Sequence, residues 1–484
     1  MDKGGFARVP DALLGLVVAL SAALAAAAAA GNAMVQGDTL WHVKAGEWIL
    51  DNRAVPKTDP FSWTAPGAPW HAHEWLWEAL AALLWRAAGP WGVWAMVALG
   101  ILLAAGCSCG LALRRSGSPA WAAACASLAA GALAPFLSAR PHTLALGLFA
   151  LWVLVLDAAR RQPRFAALAA PLGAIWANAH ASAPAGALAG AAFLAADALA
   201  GRKPTPAQVA TLLLFAASVN LNPWGPGVWA FAVAVSSRPE LVNLISEWQS
   251  PNFHSPFLWP CLALAGALCL LWGRSDRALR WLSAGAFAAG LFSLRHLPYF
   301  LLLWPAAAAP ALAARFGDPG RKTFVAGSCV AAAAALAVAL AALPPNWLEK
   351  PQEGEPFPVA AVRFMKERGL TEGVFNHYTW GGYLIWEGVR PFIDGRADMY
   401  LLSGSGVLED YDAAAGILRR PDPDGVFEGR GVRAVLVPAK SWLALYLSRH
   451  PDWEEAYRDE AATVFARRPR DGPSGGAFNF LERR

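Results

Sequence analysis

Apolar runs, many of them close to the length of a bilayer span, recur along the chain from Asp11 to Leu343, with short basic clusters between them. About 20 apolar residues in helical form cross the hydrocarbon core, where a backbone must satisfy its own hydrogen bonds. Only 15% of the residues are charged and 56% are hydrophobic, against roughly 25% charged in an ordinary soluble domain. After Pro344 the character changes to mixed charge, glycine and short apolar stretches. The sequence therefore predicts an all-α polytopic membrane domain over residues 1–343, with a first outer loop at 31–90. A C-terminal extracytoplasmic α/β domain follows over 344–484. The net charge of +5 reflects 40 Lys and Arg against 35 Asp and Glu, with the basic residues gathered in the loops. That pattern marks membrane topology and offers nothing to a nucleic-acid partner.

The first run, Asp11 to Ala30, follows Lys3 and Arg8 and ends in alanines, so it reads as a retained helix or a cleaved signal peptide. Either way Gly31 onward lies outside the cytoplasm. Further spans are expected at Trp91–Leu113, Pro119–Leu137, Thr143–Leu156, Phe165–Ala177, Ala183–Ala200 and Pro206–Val219. Four more follow at Phe257–Trp272, Leu279–Leu294, Leu297–Ala314 and Phe324–Leu343, giving about eleven transmembrane helices in all. The stretch Glu74–Trp85 is short, with Leu76, Leu80, Leu83 and Leu84 on one stripe, and reads as a helix lying in the interface. With a cytoplasmic amino terminus, the clusters at Arg114, Arg160, Arg202, Arg274 and Arg315 then all fall inside, as the positive-inside tendency requires. The expected location is a bacterial cytoplasmic (inner) membrane, with the tail outside.

All six cysteines lie inside apolar runs, with no CxxC pair among them, so they read as small packing residues. In the tail a helix is expected near Val359–Arg368, strands at Gly373–Tyr378, Arg390–Asp394 and Val432–Val437, and a helix at Ser441–Arg449. No GxGxxG, P-loop or GxSxG occurs there.

Polar residues that a bilayer excludes collect on the predicted outer side. The first loop carries Asp38, His42, Glu47, Asp59, His71, His73 and Glu74, and outer helix ends carry Arg140-Pro141-His142, Asn178, His180, Asn222, Glu247 and Arg295-His296. Ionisable groups converging at one membrane surface point to a polar site there. Each residue also has a plainer reading. Asp38 precedes a stripe of Trp41, Ala45, Trp48 and Ile49 and can cap an interfacial helix, and Glu74 can do the same for the next one. Arg140 and Arg295 can snorkel to headgroups. His71 and His73 alternate, a spacing unlike the helical zinc pair.

This layout resembles the GT-C superfamily of lipid-linked-sugar glycosyltransferases, which includes protein O-mannosyltransferases, aminoarabinose transferases and oligosaccharyltransferases. The features that carry the resemblance are a first helix, a long outer loop opening at Gly37-Asp38, the interfacial helix starting His73-Glu74-Trp75, a stack of spans and an outer C-terminal domain. Tyr378-Thr379-Trp380-Gly381-Gly382-Tyr383 is similar to the tryptophan- and glycine-rich acceptor motif of oligosaccharyltransferases, without its aspartate. That string, together with Phe392 to Asp398, also resembles a bacterial membrane protein family of unassigned function.

The resemblance implies a membrane glycosyltransferase that takes a polyprenyl-phosphate sugar as donor and a glycan, lipid or protein as acceptor. Asp38 and Glu74 become the catalytic candidates, Arg140, His142, Arg295 and His296 the donor-phosphate binders, and Tyr378, Trp380 and Tyr383 the acceptor binders. His42, Asn178, His180, Asn222 and Glu247 would line the site. The first loop has one acid where many relatives present a pair and no DxD, so the sequence specifies no metal site, while leaving a divalent ion open. The competing functions are a lipid-carrier translocator and a non-catalytic envelope assembly protein.

Overall fold

The computed structural model describes residues 37–238, 245–318, 357–418 and 420–469. The runs expected at Asp11–Ala30 and Phe324–Leu343, and the boundary at 344, lie outside the described residues.

Helix α1 (Gly37–Asn52) opens the first loop and α2 (Trp75–Ala88) closes it. The membrane bundle then comprises α3 (Pro90–Ser116), α4 (Pro119–Leu133), α5 (Pro141–Ala159), α6 (Ala169–Ala179), α7 (Ala183–Leu199) and α8 (Pro206–Ser218). After α9 (Gly227–Ser236) it continues with α10 (Trp259–Leu271), α11 (Arg277–Phe292) and α12 (Leu297–Phe316). Among the described residues four stretches are long and apolar enough to cross a membrane: Pro90–Ser116, Pro119–Phe136, Pro141–Ala159 and Leu294–Phe316.

Local chemistry sets these boundaries. Ser118 caps α4 by accepting from Trp121 N–H, with Pro119 in the first turn where its missing donor is not needed. Thr205 and Gln208 form a reciprocal capping box at α8, and Asp276 caps α11. Helices α3 and α5 approach closely because Gly100 and Gly147 face each other: a β-carbon on Gly147 would sit 2.7 Å from the Gly100 carbonyl.

The two ends of the bundle differ chemically. At one end Arg115 pairs with Asp157 at 2.7 Å and Asp276 at 3.3 Å, while Arg202 pairs with Asp197 at 2.7 Å and Asp276 at 3.0 Å. This network joins the ends of α3, α5 and α7 to the start of α11, so the basic clusters of the sequence share one face. Asp38, Glu74, Arg140, Glu247 and Arg295 gather at the opposite end. Helix α9 had no counterpart among the expected spans. It lies on that second face, where Phe231 stacks on His71 at 4.1 Å between ring centres.

The amphipathic helices of the first loop divide their roles. Leu80, Leu83 and Leu84 of α2 are exposed, as a lipid-facing stripe requires, while Trp77, Ala81 and Ala82 are buried. The stripe of α1 turns elsewhere: Trp41 and Ala45 join Trp70 in a core with Phe375, Ile385, Phe392 and Tyr400 of the tail. First loop and tail thus bury one apolar core together.

The tail holds α13 (Val359–Glu367), β1 (Val374–Asn376), α14 (Gly381–Trp386), α15 (Ala397–Leu402), α16 (Val407–Ala415) and α17 (Pro423–Arg430). Then come β2 (Ala434–Pro438), α18 (Trp442–Leu447), β3 (Trp453–Arg458) and β4 (Ala462–Arg467). The sheet runs β1-β2-β4-β3, with β1 and β2 parallel and the other pairs antiparallel. The strand expected at Arg390–Asp394 is absent. The buried Asn376 side chain occupies that edge instead, accepting from Phe392 N–H at 2.8 Å and donating to the Ile393 carbonyl at 2.9 Å. An amide side chain here substitutes for a ladder.

Candidate charged site

The site forms where the start of α1 slots between the membrane helices and the tail. Glycines make the fit possible. A β-carbon on Gly382 would lie 2.0 Å from the Gly37 carbonyl, and one on Gly395 would lie 1.9 Å from Asp38 Oδ1. The first turn of α1 is tied to the α4–α5 turn by Thr39, whose hydroxyl donates to the Ala139 carbonyl at 2.9 Å. Arg140 follows in extended conformation immediately before Pro141 begins α5.

A line of alternating charges results. Asp38 Oδ2 is 3.3 Å from Arg140 Nη2, Arg140 Nη1 is 2.7 Å from Glu247 Oε1, and Glu247 Oε2 is 4.0 Å from Arg295 Nε. Trp41 Nε1 donates to Asp38 Oδ1 at 3.1 Å, so the carboxylate engages side chains on both oxygens. Arg140, then Arg295 and His142, hold the Glu247 carboxyl down to about 2 against the opposing effect of burial. Burial works against the charge of Arg140, but Asp38, Glu247 and Glu74 outweigh it. The side chains of Asp38, Arg140, Arg295 and Glu247 are 26%, 23%, 32% and 41% exposed, so solvent and solutes reach the whole line.

Beside this line lies a histidine–carboxylate cluster. Glu74 has three imidazole nitrogens around it: His42 Nε2 at 3.7 Å, His73 Nε2 at 3.6 Å and His180 Nε2 at 3.6 Å. One turn further along α2, Glu78 Oε1 is 3.1 Å from His42 Nδ1. Burial pushes His73 down, yet Glu74 and then Asp398 of the tail raise it to about 9. Burial drives His180 down to about 3, Glu74 opposing. Among the described residues His42, Glu74 and Glu78 each offer a ligand atom within 4.8 Å of the others, a set that could hold a metal ion.

Other expected residues hold the architecture. Asn178 accepts from Trp75 Nε1 at 2.7 Å and donates to the Ala174 and Leu221 carbonyls, fastening α2 to the end of α6. Asn222 serves its own turn, accepting from Trp224 N–H and donating to the Val219 and Gly225 carbonyls. His142 meets the Phe136 carbonyl at 2.9 Å and shapes the loop that presents Arg140. His296 lies against Tyr299 with ring centres 6.4 Å apart. His71 is stacked on Trp224 and Phe231 and is no part of the cluster around Glu74. Trp380 and Tyr383 are buried, which leaves Tyr378 as the expected acceptor residue that feels the charges of the line, its phenol raised by burial first and then by Asp38 and Asp394.

Sequence reasoning passed over Glu78, although its spacing four residues after Glu74 sets both on one helical face. Asp398 carried no such signal, since only the fold brings it within 4.0 Å of His73.

No protein-family model matches the sequence, and no curated protein does. Several solved structures are similar in three dimensions, two of them as follows. One is the oligosaccharyltransferase AglB of Archaeoglobus fulgidus in complex with an inhibitory peptide and a dolichol-phosphate, at TM-score 0.51 and 14% identity, covering 96% of this chain and 75% of that one. The other is ArnT of Cupriavidus metallidurans bound to undecaprenyl phosphate, at TM-score 0.52 and 14% identity, covering 95% of this chain and 97% of that one.

The chain has the GT-C fold.

Within this GT-C fold Asp38 lies between Gly395 of the tail and Arg140 at the start of α5, and the line continues through Glu247 to Arg295.

Proposed function

We propose that this protein is an inverting membrane glycosyltransferase, moving a sugar from a polyprenyl-phosphate donor to a hydroxyl on a glycan, lipid or protein acceptor at the outer face of a bacterial cytoplasmic membrane. The observation that carries the reading is the Asp38–Arg140 pair at 3.3 Å, at the mouth of a GT-C-fold membrane bundle. A lipid phosphate entering from the bilayer meets guanidinium groups able to bind it by charge-assisted paired hydrogen bonds. The acceptor oxygen attacks the anomeric carbon opposite the phosphate and gives its proton to Asp38. The bond from that carbon to the phosphate oxygen breaks, and the phosphate leaves with the electron pair. Already an anion, it needs no strong general acid.

The exposed, charged line argues against an assembly protein, for which a closed apolar outer face would be expected. A translocator would more often carry its charges near the midplane. The reading takes about eleven spans, and four described stretches, Pro90–Ser116, Pro119–Phe136, Pro141–Ala159 and Leu294–Phe316, are long and apolar enough to support it. A topology reporter fused after Lys203 is expected to read cytoplasm and one at the carboxy terminus the exterior. A cytoplasmic carboxy terminus would overturn the orientation.

The reading is tested by incubating the purified full-length protein with polyprenyl-phosphate sugars and measuring the polyprenyl phosphate released. Arg140→Lys keeps the charge but loses the planar fork, and the donor KM is expected to rise about tenfold, with a smaller rise for Arg295→Lys. Unchanged donor KM in both would return these arginines to a structural role.

A further inference from the structure

Glu247 sets one carboxylate between two guanidinium groups. Its Oε1 lies 2.7 Å from Arg140 Nη1, and its Oε2 lies 4.0 Å from Arg295 Nε. One oxygen toward each arginine is also what a phosphate held by the same pair would offer. The second contact exceeds hydrogen-bond length, so Glu247 engages Arg295 only loosely. The Arg295 guanidinium is instead placed by the Trp248 ring, 4.6 Å from the ring centre.

The backbone that carries Glu247 is fixed, and its side chain is not. Ser246–Trp248 forms a short helical turn tied at two points to the segment between α11 and α12. Leu294 N–H donates to the Gln249 carbonyl at 2.9 Å, and the Ser293 hydroxyl donates to the Glu247 carbonyl at 3.3 Å. The side chain is 41% exposed, and rotation about its own bonds moves the carboxylate off the arginines without moving the chain. Arg140, then Arg295 and His142, hold its carboxyl down to about 2 against burial, so displacement and not protonation frees the arginines at ordinary pH. A partly exposed ion pair has little net strength and exchanges readily for a better anion. Polyprenyl phosphate, with three terminal oxygens, is such an anion.

We propose that Glu247 determines the anion specificity of the donor site: its carboxylate occupies the phosphate position in the empty protein, yields it to a lipid-linked phosphate, and returns to expel polyprenyl phosphate after transfer. The inference rests on the transferase reading above. A tethered carboxylate acts at high effective concentration, so small free anions lose the competition. A lipid-linked phosphate wins it because burial of its apolar chain adds to the exchange. The product carries more charge than the donor diester and is gripped more tightly, and the returning carboxylate offsets that grip.

The test uses the purified full-length protein in detergent, with undecaprenyl phosphate and inorganic phosphate as probes. Glu247→Gln keeps the size of the side chain and loses its charge. The variant is expected to bind undecaprenyl phosphate about tenfold or more tightly than wild type, because the tethered competitor is gone. Inorganic phosphate should displace the lipid from the variant and not from wild type. In turnover the donor KM should fall and kcat should fall with it, as product leaves slowly. Adding Arg140→Lys to Glu247→Gln should remove the gain. Equal or weaker lipid binding by a folded Glu247→Gln would overturn the proposal and make Glu247 a support for Arg140. Should that variant not fold, Glu247→Asp decides, since it draws the carboxylate back by one methylene: tighter lipid binding sustains the proposal and unchanged binding overturns it. Binding of undecaprenyl phosphate by neither wild type nor variant would remove the lipid-phosphate reading itself and the competitor with it, so the two failures are distinct.

Discussion

Asp38→Asn is expected to lower sugar transfer by about a hundredfold or more, the usual scale of a general-base contribution, while thermal stability stays close to wild type. The asparagine side chain keeps the size of Asp38, and its one carbonyl oxygen can accept from Trp41 Nε1 or from Arg140, so one of the two contacts at the α1 start survives in hydrogen-bonded form. What is lost is the ability to take a proton from the acceptor. If Asp38 served only to hold Trp41 and Arg140, the same substitution would leave turnover near normal. Comparing turnover with melting temperature in Asp38→Asn and Asp38→Ala therefore separates chemistry from support. Near-normal transfer by the asparagine form would move the search for the base to Glu74 and Glu247.

The largest effect on stability is expected at Arg396. This side chain is 1% exposed, 2.7 Å from Asp59 of the first loop and 2.7 Å from Asp394, both of which are fully buried. It is flanked by the rings of Phe61 and Trp70, at 5.1 and 4.9 Å, and Tyr400 donates its hydroxyl to Asp394 at 2.7 Å. Arg396→Met removes the cation and leaves two buried carboxylates uncompensated, a loss of about 3–5 kcal/mol by comparison with other broken buried pairs. The thermal transition of the purified protein should fall by several degrees or more, and first-loop amides should exchange faster. An unchanged transition would mean that the loop and tail are held by their apolar core alone.

The same network has a pH signature. Burial pushes the Asp394 carboxyl up, but Arg396 and Tyr400 outweigh it and hold it below the ordinary value. Its contribution is present above the unfolded carboxyl value of roughly 3.9 and is lost as pH falls through the lower folded value. Acid sensitivity is therefore expected below about pH 4, and Arg396→Met should blunt it.

What the sequence reveals depends on how local the determining physics is. The spans were legible because apolar length alone sets them: Trp91–Leu113 and Thr143–Leu156 emerge within α3 and α5. The side on which Arg140, Glu247 and Arg295 meet was legible through the basic clusters at the other end. The strand expected at Arg390–Asp394 was not, because Asn376 ties that segment through its side chain, leaving the apolar pattern unchanged. The Trp41 stripe reads in the sequence as an anchor at the membrane interface, and the structure instead packs Trp41 and Ala45 against Phe392 and Ile385 of the tail, distant residues to which its periodicity gives no clue. The Asp59–Arg396 pair spans 337 positions, a separation on which periodicity and spacing are silent.

The central claim is that Asp38 and Arg140 process a lipid-phosphate sugar, and lipid analysis of living cells tests it most directly. Polar lipids from cells whose only copy carries Asp38→Asn, and from cells lacking the chain, would be compared with wild type by mass spectrometry. The expected result is accumulation of one polyprenyl-phosphate sugar in both altered strains, reversed by the wild-type chain. Lipid profiles indistinguishable from wild type in both strains would contradict the account.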